Sequence, residues 1–229
     1  MINIKQLVTA ATLSLCSLIS QASVISLDFE NIAPYPNTNN VLIQEFYNGG
    51  TSSIGTSGTD FGISFSANSL LVCLNSTTEF CSNASRGGMA PDSAEGALFF
   101  LTGSASIMNV AAGFDTGFSF NYVSVSQAGS VSVFDDVDGT GNLLATISLS
   151  PNAGSCPGYS ATFCPFSAVG VSFSGTAKSV SFAGVADQIA FDDITFGSAT
   201  PGPQVGVPAP ASLGLLAATL LGLRLRRKA

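Results

Sequence analysis

Histidine and tryptophan are both absent from the 229 residues. Without histidine there is no Ser-His-Asp or Cys-His catalysis and little zinc chemistry. Without tryptophan the strongest platform for stacking on a sugar ring is missing. Positive charge is scarce in the middle of the chain, where Arg86 and Lys178 are the only basic residues between the two ends. All 14 acids lie between Asp28 and Asp193, so this stretch carries −12 against −7 for the whole chain. Such a charge repels nucleic acid and anionic lipid and attracts cations. A helical hydrophobic period is also nearly absent between Ser23 and Gly197.

The two ends differ sharply from this acidic middle. Lys5 begins a short basic region, Leu7 to Ile19 is apolar, and Ser20-Gln21-Ala22 places small residues at −3 and −1. This pattern reads as a secretory signal peptide over residues 1–22, cut after Ala22. A lipoprotein signal would need a small residue before Cys16, and Leu15 stands there. At the other end, Pro208 and Pro210 fix φ and withhold amide donors, so a helix starts only after them. Ala211 to Leu223 is an apolar helix former with no polar stripe, and Arg224, Arg226, Arg227 and Lys228 follow it. The run is short for a span, but basic side chains can snorkel and hold its cytoplasmic end. This tail, residues 207–229, reads as membrane-directed, with residues 198–206 as a flexible linker before it.

The order of Val207-Pro208-Ala209-Pro210, apolar helix and arginine cluster resembles the PEP-CTERM sorting signal. Ala209 stands where that motif has its usual Glu. The resemblance covers about a tenth of the chain. It implies sorting by exosortase, a membrane-embedded cysteine protease-transpeptidase of exopolysaccharide-producing Gram-negative bacteria. Val207, Pro208, Pro210, Arg224, Arg226 and Arg227 would carry the signal. The implied location is the cell envelope or extracellular matrix, with membrane anchoring before processing and exopolysaccharide as a possible neighbour.

Between these ends, residues 23–197 alternate apolar and polar positions. Ile25, Leu27 and Phe29 form one set, then Phe61, Ile63 and Phe65, then Phe118, Phe120 and Tyr122, then Val131 and Val133. Leu143, Ala145, Ile147 and Leu149 follow, then Val171 and Phe173, Val180 and Phe182, and Ile189 and Phe191. Gly-rich clusters such as Tyr47-Asn48-Gly49-Gly50 and Asp138-Gly139-Thr140-Gly141-Asn142 separate them. Nine or ten short, half-polar strands predict an all-β, two-sheet antiparallel sandwich of jelly-roll-like topology, with one face of each sheet wet. An outer-membrane barrel is the competing all-β reading, but the basic tail replaces the aromatic-ended last strand of such barrels.

Cys16 leaves with the signal peptide. Cys73/Cys81 and Cys156/Cys164 then remain, with equal spacing within each pair. In an exported chain four cysteines read as disulfides; three pairings are possible, and the spacing favours two local loops.

Three groups of carboxylates invite a site. Asp135-Asp136-Val137-Asp138-Gly139 resembles the start of a calcium loop, yet the closing Glu of an EF-hand falls at Ile147, leaving a hairpin turn. Asp92 and Glu95 lie near Arg86 and read as a surface ion pair. The third group spans the ends of the domain. Asp28 and Glu30 share one face of the first strand. In the last strand Ile189 and Phe191 share one parity while Ile194 and Phe196 share the other, which predicts a bulge at Asp192-Asp193. If the first and last strands pair, Asp28, Glu30, Asp192 and Asp193 meet. Oxygen ligands without His or Cys select a hard cation, so Ca²⁺ is the expected occupant.

Together these features describe an exported, non-catalytic structural or binding sandwich. A carbohydrate-binding module would be favoured by tyrosines 35, 47, 122 or 159 gathered on one concave face. A carboxylate-dependent glycoside hydrolase would need two exposed acids about 5–9 Å apart in a cleft.

Overall fold

A computed structural model describes residues 24–33, 40–74, 96–154 and 163–202. The signal peptide, the sorting tail, Tyr35, Tyr159, Cys81, Cys156, Arg86, Asp92 and Glu95 lie outside these residues.

Alternation of side chains produces strands throughout, and the described residues contain no helix. A seven-stranded sheet holds β10 (Ser167–Ser172), β7 (Gly117–Ser124), β12 (Ile189–Phe196), β5 (Gly96–Phe99), β4 (Leu70–Cys73) and β2 (Val41–Leu42) in that order. Its remaining strand, β1 (Ile25–Leu27), pairs with β12. A five-stranded sheet has the order β3 (Ile63–Phe65), β6 (Ala105–Phe114), β11 (Ala177–Ala183), β8 (Gly129–Phe134) and β9 (Leu143–Leu149). Every strand pair is antiparallel. The described strands therefore form two layers, as the alternation predicts, and not one closed wall.

Phenylalanine fills the space between the layers. Phe118, Phe120 and Tyr122 of β7 point inward with Phe191 of β12 and Phe182 of β11. Their rings meet at angles, with Phe182 and Phe191 at 4.9 Å and Phe120 and Phe191 at 5.7 Å between centroids. Edge-to-face contacts of this kind add to the burial energy of each ring.

One expectation about the faces fails. Most of the larger sheet is not wet on its outer side: β4, β5, β7 and β12 are buried at every position, while the edge strand β10 alternates with exposed residues. A second apolar cluster explains part of this, with Phe163 packed on Phe99 beside Leu70, Val72, Val123 and Ala190. The chain leaving β12 explains another part. Residues 198–202 fold back over the sheet instead of running free. A Cβ on Gly117 would come within 2.7 Å of Ala199 N, and one on Gly170 would strike Ala199 O. The Gly202 amide donates to Thr195 Oγ1 at 3.3 Å. Glycine at 117 and 170 thus lets the backbone of this strap lie flat on the sheet.

The last strand in sequence is central in space. β12 pairs with β7 along one edge from Ile189 to Phe196. Along its other edge it pairs first with β5, through Phe191 and Leu98, and then with β1, through Ile194 and Leu27. Strands β5 and β1 thus meet end to end beside β12. Gly96 begins β5 at that meeting point, and a Cβ there would collide with Phe29 O and lie 2.9 Å from Leu71 Cδ1. Backbone cannot yield as a flexible side-chain tip can. We expect Gly96→Ala to cost about 2–3 kcal/mol and to lower the thermal midpoint by roughly 5–10 °C, measured by calorimetric melting.

Candidate functional site: the acidic junction of the first and last strands

The junction follows from a parity conflict. Ile189, Phe191, Ile194 and Phe196 all belong to the same inter-sheet core. The register between β12 and β7 shifts between Asp192 and Thr195, and Asp193 adopts φ 50°. The predicted bulge is therefore present where the sequence pattern places it. First and last strands also pair as expected, with Ile25 opposite Phe196, Ser26 opposite Thr195 and Leu27 opposite Ile194.

At this seam the carboxylates bond to amides. Asp192 Oδ1 accepts the Asp193 amide at 2.8 Å, closing the bulge on itself. Asp193 Oδ2 accepts from Asn121 Nδ2 at 2.7 Å, which ties β12 to β7. Asp28 Oδ1 accepts the Glu30 amide at 3.1 Å. Glu30 Oε1 accepts the Gly96 amide at 3.0 Å, which ties the end of β1 to the start of β5. The chain turns sharply here, with Phe29 at φ 57° and Asn31 at φ 62°. Non-glycine residues enter that region rarely, and Phe29 is held there by its surroundings. Its ring is fully buried, and its amide donates to the Tyr47 hydroxyl at 3.1 Å. Tyr47 in turn packs edge-on against Phe46 at 4.9 Å and Phe29 at 6.0 Å.

Burial raises the Asp28 carboxyl above its ordinary range; the Glu30 amide opposes this, and the Glu30 charge adds to the rise. Burial also holds the Tyr47 phenol well above 10, helped by the charges of Asp28, Asp192 and Glu30. The charges of three acids at the seam thus bear on one phenol.

Charges bearing on one phenol do not by themselves make a metal cage. Among the described residues, no group of three or more His, Cys, Asp or Glu side chains could hold a metal ion. Asp28, Glu30, Asp192 and Asp193 all lie at this seam, and Ca²⁺ among them stays an expectation of the sequence. Each of the four carboxylates accepts a hydrogen bond from an amide group at the bulge or the turn. Tyr47, Asn121 and Gly96 are the members that sequence reading missed. Tyr47 was hidden in an apparent turn cluster. Asn121 occupies a strand position that alternation assigns to solvent, whereas it is 4% exposed.

The other candidates resolve simply. Residues 135–142 link β8 to β9 as a hairpin turn. Asp135 accepts the Asn142 amide at 2.6 Å and its side-chain Nδ2 at 2.8 Å. Those bonds, the side-chain one foremost, lower the Asp135 pKa. Asp138 and Asn109 exchange bonds of 2.7 and 2.8 Å. Tyr47 and Tyr122 sit in the core and offer no stacking platform. Cys73 and Cys164 are each disulfide-bonded.

No known family model matches this chain, and none of the curated proteins matches it.

The raised Asp28 pKa has a definite sign. A folded-state pKa above the unfolded value means the neutral form is the better guest, so this contribution is full below about pH 3.8 and lost as pH rises through the folded value. Asn keeps the Oδ1 acceptor and removes the charge. We expect Asp28→Asn to melt higher than wild type at pH 7, with the gap closing below pH 4.

Proposed function

We propose that this protein is an exported structural or binding component of the cell envelope or extracellular matrix, sorted by an exosortase-type transpeptidase and without catalytic activity. One observation carries the reading furthest. All described strands lie between Ile25 and Phe196, and the last of them closes against the first. A leader can be cut from one end and a tail from the other without taking a described strand from the sandwich. The terminal segments are then addressing signals, and the acidic domain between them is the cargo.

The strand order supports a jelly-roll-like reading of that cargo. Strands β5-β12-β7-β10 face β6-β11-β8-β9, so consecutive strands mostly alternate between layers. The described acids also suit a structural role, since those at the seam bond to backbone and amide groups that hold bends in the chain. Tyr47 and Tyr122 are occupied in the core, so a glycan-binding role would rest on polar side chains or on Tyr35 and Tyr159, which lie outside the described residues.

The tail supplies the test. In a cell carrying an exosortase, the chain is expected to lose its tail near Val207–Pro210 and to leave the membrane. Replacing both Pro208 and Pro210 with Ala should give a longer, membrane-retained form. Intact mass and fractionation measure this. Unchanged mass and location in the double variant would contradict sorting through this motif, and a plain anchor would behave that way.

A further inference from the structure

Each sheet stops at an edge strand on either side, and an open edge shows unpaired backbone donors and acceptors to any strand that meets it. Three of the four ends are blunted. β2 is two residues long and β3 three. β9 is seven residues long, but its register with β8 shifts between Val133 and Phe134. β10 is different. Its six residues pair with β7 in unbroken register, and among the described residues no other strand pairs with it. The strand holds no proline and no charge.

Burial along β10 is also incomplete. Val169 and Val171 stand opposite Phe120 and Phe118, so they face the core with them. Both valines are only half-buried, because the sheet stops at their strand. One further strand would cover them.

Charge selects what that strand is. The exported domain carries 14 acids against two bases, Arg86 and Lys178, so two copies repel each other in most approaches. Between Asp138 and Asp187, however, no acid occurs, and Lys178 is the only charged residue. That stretch contains both β9 and β10, which lie side by side at one flank of the sandwich. The sequence there is self-complementary. Antiparallel pairing about Gly170 sets Val169 against Val171 of a second copy and Ala168 against Ser172, with no like charges opposed. Asp115, in the β6–β7 turn at the Ser172 end of β10, is carried to opposite ends of the joint in the two copies.

We propose that two copies of this chain join edge to edge through β10, continuing the larger sheet across a two-fold axis at Gly170. This pairing does not depend on how the tail is processed. It strengthens with salt, because going from about 0.1 M to about 1 M shortens the Debye length from about 10 Å to about 3 Å.

Sedimentation equilibrium of the chain from Ser23 to Ala229, in density-matched detergent, reads the association. Wild type is expected to show a reversible monomer–dimer equilibrium. Ala168→Lys with Ser172→Lys, both at exposed positions, sets Lys against Lys twice across the axis and should weaken the dimer several-fold. The two lysines lessen the overall negative charge, so weakening by them reports the register. Ala168→Lys with Ser172→Glu sets Lys against Glu twice and should restore the dimer. A wild type that stays monomeric at every concentration and salt overturns the proposal. So does a dimer that the paired lysines leave intact, since it is held elsewhere, and so does equal loss in both double variants. Hydrogen exchange of the wild type gives a reading free of any folding fault in the variants. Protection of the β10 amides that face away from β7 should rise with protein concentration, and protection independent of concentration overturns the pairing as well.

Discussion

Burying Ile189, Phe191, Ile194 and Phe196 in one core forces the last strand to slip its register at Asp192-Asp193, and much of the fold is arranged around that slip. A regular strand would turn two of the four outward. The bulge resolves the conflict, and it also splits the neighbours of β12. Strand β5 serves the part before the slip and β1 serves the part after it. The meeting of β5 and β1 then requires glycine at 96, because Phe29 O occupies the space of a side chain.

Charge is spent locally in this arrangement. A buried carboxylate is costly unless donors surround it. Here Asn121 and the amides of Asp193, Glu30 and Gly96 supply donors to Asp193, Asp192, Asp28 and Glu30 respectively. Of these acids, Glu30 and Asp193 fasten one strand to another, while Asp28 and Asp192 close their own turn and bulge. Tyr47 completes the seam by accepting the Phe29 amide, and its burial among those acids keeps it protonated well past 10.

Layer architecture was legible because alternation with period two is unambiguous when Phe and Ile mark one face. The bulge was legible for the same reason, as two parities in one strand cannot share a core. Pairing of the ends followed from the general habit of sandwiches, and the Leu27–Ile194 register bears it out. What alternation could not reveal was the outer face of the larger sheet. Asn121 and Thr195 look solvent-facing in sequence but are buried, Thr195 completely. The cover of Thr195 includes the strap that also lies over Gly117 and Gly170. Those glycines carry no local signal of what lies above them. Carboxylate aim was equally hidden, since it depends on left-handed turns at Phe29 and Asp193 that no residue type announces.

Native-state hydrogen exchange tests most directly whether the closure of β12 on β1 holds the sandwich together. Amides paired across a structural keystone open only when the whole domain opens. The Phe29 amide bonded to Tyr47 and the β1 and β12 amides at Leu27 and Ile194 should exchange with one free energy, equal to that of global unfolding by denaturant. A β1 that exchanges through small local openings, well below the global value while β12 stays protected, would contradict this account.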